Sequence, residues 1–284
     1  MKFRLLLAAL AAALVAAPAP AQPVGTLQKI ADAKAIMLGY RLDAVPFSYR
    51  DEQGQPAGYS VDLCRRVVAA VERALNLPNL EVRWIPVTAD SRFSQVVTGA
   101  IDLECGVTTV TLGRQEQVDF SNLTFVEGGS LLVRADGGPQ RLSELAGKTI
   151  GVLPGTTTET RLRAMLAERR IDARVVSVSD ERDGAASVMD RRIDAFAGDR
   201  IVLLGVGLRA GGGTVLALMQ EDFSFEPYAL MMRRDPAFRL VVNRTLARLY
   251  AGPGIGEIYD RWFGKLGKPG SLLASMYYLN AFTE

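Results

Sequence analysis

Three short stretches early in the chain read as strands, one continuously apolar and two alternating. Ile36–Tyr40 reads as a short apolar strand followed by Arg41, and Leu80–Val87 alternates as a second strand. Ile101 and Leu103 alternate with Asp102 and Glu104, the period of a half-buried strand. Between these lie a strand–turn–strand segment over 45–60, with turn chemistry at Asp51–Gly54, and two helices. Ser60 is the predicted N-cap of the first helix, whose Val61, Cys64, Val67, Val68, Val71 and Leu75 share one face; Arg92–Val97 is the second. After a long apolar stretch, Leu123–Arg134, and a polar break at Asp136–Pro139, a second pattern begins. It predicts a short helix Leu142–Leu145 and strands Thr149–Leu153, Arg174–Val178 and Asp194–Gly198, the last ending at Asp199. Helices are predicted from Thr156, in a capping box with Glu159, to about Arg170, and over Glu181–Arg191 and Ile201–Leu208. Phe223–Met232 is a second long extended stretch, followed by amphipathic helices Pro236–Tyr250 and Ile255–Phe263 and a partly apolar tail, Leu272–Phe282, that should pack. Strands alternating with helices at this spacing predict α/β architecture with mainly parallel pairing.

A chain of 284 residues makes one large or two modest domains. Residues 1–21 have a basic start, an apolar run and Ala19-Pro20-Ala21 before Gln22, which predicts a cleaved signal peptide, with an uncleaved anchor as the alternative. Cleavage would remove Lys2 and Arg4 and leave 31 basic residues against 31 acidic ones. Without a basic excess there is no electrostatic drive toward nucleic acid. There is no histidine, which excludes a Ser-His-Asp triad and a His metal site. No metal or cofactor is expected. Two cysteines, Cys64 and Cys105, in an exported chain suggest one disulfide; two separate buried thiols are the alternative.

The densest chemistry lies at 101–121. Gly106 ends the strand, Thr108, Thr109 and Thr111 follow it, and Arg114 sits on one short helical turn. Ligands of α/β sheets lie outside the carboxyl ends of strands. Hydroxyls, free N–H groups and a guanidinium together suit a carboxylate. A capped turn with a solvated arginine is the plain structural alternative. The helix start at Gly155–Glu159 is a second place where free N–H groups would attract an anion.

The run ECGVTT, then Arg114–Gln115, then Asp119–Phe120–Ser121, resembles the signature of periplasmic amino-acid-binding proteins of ABC importers, in particular the glutamate/aspartate-binding branch. The likeness covers nearly the whole chain after the leader. It implies a two-lobed periplasmic-binding fold, with two mainly parallel sheets and flanking helices joined by two crossing strands. Lobe 1 would comprise 22–130 plus 230–284, and lobe 2 131–229. It implies a periplasmic carrier, itself a monomer, that captures a small-molecule polar amino acid and delivers it to a membrane permease. Glutamate or aspartate comes first and glutamine or asparagine next.

Carried over residue by residue, the resemblance gives Arg41 and Arg92 to the ligand's side-chain carboxylate. Thr109, Arg114 and Thr157, with Thr158 beside it, go to the α-carboxylate, and Asp199 to the α-ammonium. Three positions depart from the pattern. Ala89 and Val107 stand where serines are expected, and Glu181 replaces a histidine. If ionised, Glu181 would cancel one arginine charge and make an amide ligand more acceptable. Two other readings compete: an enzyme such as a cyclohexadienyl dehydratase, using Glu181 as an acid or base, and a sensor domain with a membrane-spanning helix.

Overall fold

The computed structural model describes residues 25–282. The signal peptide expected over 1–21 lies outside them. Helix α1 (Thr26–Ala33) leads through Lys34, in the left-handed region that closes a helix, into β1 (Ala35–Tyr40). A small antiparallel sheet follows, made of β2 (Asp43–Ala44), β3 (Ser48–Arg50) and β4 (Pro56–Ala57). Helix α2 (Tyr59–Leu75) starts two residues earlier than a cap at Ser60 predicts. Gly58 is the N-cap, at φ 129°, where a Cβ would collide with the Phe47 carbonyl. Ser60 lies inside the helix, and its hydroxyl donates to the Gly106 carbonyl (2.7 Å). Next come β5 (Glu81–Pro86), α3 (Arg92–Val97), β6 (Leu103–Glu104) and α4 (Leu112–Gln115).

The long apolar stretch is one strand, β7 (Asp119–Arg134). Beyond it are β8 (Thr149–Val152), α5 (Thr157–Glu168), β9 (Arg174–Ser177), α6 (Glu181–Met189), β10 (Ala195–Asp199), α7 (Arg200–Arg209) and β11 (Leu216–Leu218). The return strand β12 (Ser224–Met232) precedes α8 (Pro236–Ala251), α9 (Gly254–Phe263) and α10 (Ser271–Leu279). The tail does pack: Leu273, Met276 and Tyr277 of α10 are buried, while Leu272, Tyr278 and Phe282 are exposed.

The two lobes each carry a parallel trio, β5-β1-β6 and β9-β8-β10. Between them β7 and β12 run antiparallel, with Glu226 opposite Glu127. The hydrogen-bonded path is therefore unbroken from β5 to β9, because β12 also pairs β6 and β7 also pairs β10. Apolar faces close over both trios. Val61, Cys64, Val67, Val68 and Val71 of α2 are buried at the predicted spacing, and Leu162, Met165 and Leu166 of α5 cluster with Ile150 and Val152. Phe47, Tyr59, Phe125, Tyr228 and Phe263 form an aromatic cluster where the small sheet meets the crossing strands. Cys64 and Cys105 are joined, with Cα atoms 6.2 Å apart. The 41-residue separation corresponds to ~4 kcal/mol in the chain-entropy account. The bridge fixes the segment that follows β6 to α2.

Candidate functional site

Two parallel strands from each lobe end at one place. Arg41 follows β1, Val107 and Thr109 follow β6, Leu153–Thr158 follow β8, and Asp199 ends β10. With Arg92, Arg114 and Glu181 they line a narrow cavity of about 30 Å³ between the lobes. Of the ten positions singled out in the sequence, nine share this cavity. Ala89 does not; it lines an adjoining hollow that meets the first at Arg41 and Leu153.

Arg41 and Arg92 are both 4% exposed. Arg41 has an ion-pair partner two residues on, with Nη2 3.0 Å from Asp43 Oδ1, and lies 3.9 Å from Glu181 Oε1. Burial works against its charge, but Asp43, Glu181 and Glu104 outweigh burial and hold the guanidinium above its ordinary value. Arg92, at the start of α3, has no ion pair among the described residues, and its Nε is unpartnered. Burial first, then Arg41 and Arg114, push it down to about 10 against the pull of Glu104. Glu104 is fully buried and pushed up by burial, with Thr108 donating to its Oε2 (2.9 Å). The half-buried alternation expected at 101–104 is corrected here: the strand is only Leu103–Glu104, and Ile101, Asp102, Leu103 and Glu104 are all buried, with β6 inside the sheet between β1 and β12 and the two preceding residues leading into it. Phe93 lies 5.1 Å from the guanidiniums of both Arg92 and Arg114, an aromatic face that holds the two cations apart.

Thr156 caps α5, its hydroxyl accepting from Glu159 N–H (3.1 Å), as the capping pattern predicts. The first N–H groups of a helix have no partner within it, so Thr157 and Thr158, which line the cavity, carry backbone donors that α5 does not use. Arg114 sits on α4, where Thr111 caps the turn, and its Nη1 donates to the Thr109 carbonyl (2.7 Å). Asp199 accepts from the hydroxyls of Thr158 (2.9 Å) and Tyr228. Burial and then Glu226 raise it to about 6, against those hydrogen bonds. Glu181 begins α6, where its N–H donates to Asp43 Oδ2 (3.1 Å). Its Oε2 is buried without a partner, and burial followed by Asp43 raises the carboxyl to about 8. The neutralisation of Arg41 expected from Glu181 thus comes from Asp43.

A family model described as bacterial extracellular solute-binding proteins, family 3, matches residues 36–265. The chain belongs to that family. It is 38% identical over 262 residues to the L-glutamate/L-aspartate-binding protein of Pseudomonas aeruginosa, covering 91% of this chain and 87% of the relative. It is 35% identical over 257 residues to the glutamate/aspartate import solute-binding protein of Escherichia coli, covering 90% and 85%. Among solved structures, an ancestral amino-acid-binding protein described as a precursor of cyclohexadienyl dehydratase superposes with a TM-score of 0.72 at 25% identity, covering 84% of this chain and 99% of that one. The two relatives from Pseudomonas aeruginosa and Escherichia coli are binding proteins, not enzymes.

Behind the side chains that line the cavity lie groups that the sequence patterns do not single out: Asp43, Phe93, Glu104, Glu127, Glu226 and Tyr228. Glu127 and Glu226 were visible as single acids inside the two apolar extended stretches. A buried acid needs partners, and that was the available signal. Glu127 Oε2 accepts from Ile201 N–H (2.6 Å) at the start of α7, and burial followed by Asp199 pushes its carboxyl well up.

Proposed function

We propose that this family 3 protein binds an acidic amino acid, L-glutamate or L-aspartate, with glutamine and asparagine next, and hands it to the permease of an ABC importer. The observation that carries the reading is Arg92, a buried guanidinium without an ion pair among the described residues, lining the same cavity as Asp199. In this reading Arg92 takes the side-chain carboxylate, with Arg41 largely satisfied by Asp43. Arg114 and the first N–H groups of α5 take the α-carboxylate, and Asp199 takes the α-ammonium. The binding names of the relatives support the same class. Lobe limits near 130 and 230, a cleaved leader over 1–21, a periplasmic location and a monomeric carrier complete the proposal.

The test is calorimetric titration of the purified protein with L-glutamate, L-aspartate, L-glutamine, L-asparagine and prephenate. One-to-one heats, tightest with glutamate or aspartate, are expected. Tightest binding of a basic or apolar amino acid in a wider panel would overturn the ligand class. Continuing turnover heat with prephenate would overturn the binding-protein role.

A further inference from the structure

Glu226 is fully buried on the crossing strand β12 and touches the cavity only through other side chains. Its Oε2 accepts from two hydroxyls on opposite sides of the cleft, Thr109 (2.6 Å) and Thr157 (2.8 Å). Its Oε1 accepts from Ser224 (2.6 Å). A hydroxyl has one proton to donate, and both of these hydroxyls spend it on the same Glu226 oxygen. Thr109 and Thr157 therefore commit their protons to Glu226 and have only lone pairs left for a ligand.

The geometry points to Glu226 as the residue that sets the hydrogen-bond polarity of this cleft, turning the Thr109 and Thr157 hydroxyls into acceptors for a ligand ammonium. The inference rests on the amino-acid reading and sharpens it. Two oxygens that the resemblance gives to the α-carboxylate act instead with Asp199 on the cationic end. The α-carboxylate is left to Arg114, whose fork keeps N–H groups beyond the one spent on the Thr109 carbonyl, and to the N–H groups of Thr157 and Thr158. The site selects ligands with an α-amino group through four oxygen acceptors drawn from both lobes and rejects analogues in which that group is missing. Glu226 is a positioning residue, since it acts through the hydroxyls.

The experiment compares L-glutamate and L-glutamine with glutarate and glutaramate, which keep the carboxyl groups and lack the ammonium. Dissociation constants come from calorimetry, or from ligand-observed NMR where they reach the millimolar range. Glu226→Gln should lower the preference for the amino ligand over its deamino analogue by tenfold or more. Thr157→Val separates polarity from charge, because it changes no charge. It should weaken the amino ligands several-fold and leave the deamino analogues within twofold. Equal weakening of both classes by Thr157→Val would show that the hydroxyl donates to a carboxylate, and would overturn the assignment whether or not Glu226→Gln folds. An unchanged preference in a folded Glu226→Gln would overturn it as well. If wild type binds neither amino acid, the amino-acid reading falls and this assignment falls with it; the two failures are told apart by the wild-type titration alone.

Discussion

Arg41 and Arg92 reach the same cavity and are equally buried, yet one is paired and the other is not. Arg41 is held by Asp43, with Glu181 close by, so its charge is part of the fold. Arg92 keeps its charge in a buried site with only the more distant fields of Glu104 and then Asp199 behind it. The difference separates a structural cation from one that an incoming anion would satisfy. It also explains how two arginines can stand in one cleft without forcing the lobes apart.

The largest expected effect breaks this comparison directly. Arg41→Met strands Asp43 in a buried position and should lower unfolding stability by about 3–5 kcal/mol. Arg92→Met removes an unpaired buried charge and should change stability by less than ~1 kcal/mol while weakening an acidic ligand by about 2–5 kcal/mol. Urea unfolding of both variants without ligand, followed by titration, decides it; equal loss of stability would erase the distinction. Arg114→Ala should weaken every amino acid by roughly two decades, since it strips the α-carboxylate of its charged donor. Wild-type affinity in that variant would remove Arg114 from the site.

Two pH measurements sharpen the contrast further. Asp199 titrates at about 6 and must be ionised to hold an ammonium. Affinity should fall about tenfold from pH 7 to pH 5, with proton release on binding near pH 6. A flat profile would move the ammonium away from Asp199. Glu181 is raised to about 8, so the folded state binds its proton more tightly than the unfolded chain. Its contribution to stability is complete below the unfolded value near ~4.5 and is lost as pH rises through about 8. Glu181→Gln should flatten that decline between those limits. It should also shift the acid-to-amide ratio little at pH 7 and visibly above pH 8, where wild-type Glu181 is ionised. Identical pH profiles for the variant and wild type would sink this account.

Local periodicity made α2, α3 and α5 legible, because an apolar face at helical spacing needs no knowledge of distant residues. Strand ends were legible for a similar reason: Thr109, Thr157 and Asp199 follow apolar runs that must be strands, and ligands gather there. Burial of Asp102 and Glu104 was not, because alternation looks the same whether the second face meets water or another layer. The partner of Arg41 was close at hand, two residues on, but nothing in the letters tells a paired Asp43 from a solvated one. Glu226 was hidden more deeply, since its meaning depends on Thr109 and Thr157, which lie 117 and 69 residues away.

The unbroken ladder through β12 and β7 has a mechanical side. An antiparallel ribbon twists easily, and its register shifts beside Ala229 add local bend, whereas sliding one strand along the other would break hydrogen bonds at every step. Such a ribbon works as a torsion spring rather than a loose joint. Any swing of one lobe against the other turns about it, so Glu127, Glu226 and Tyr228 ride near the axis while Thr109 and Thr157 travel on the arms. A swing wide enough to part the arms would draw one hydroxyl off the Glu226 oxygen that both share.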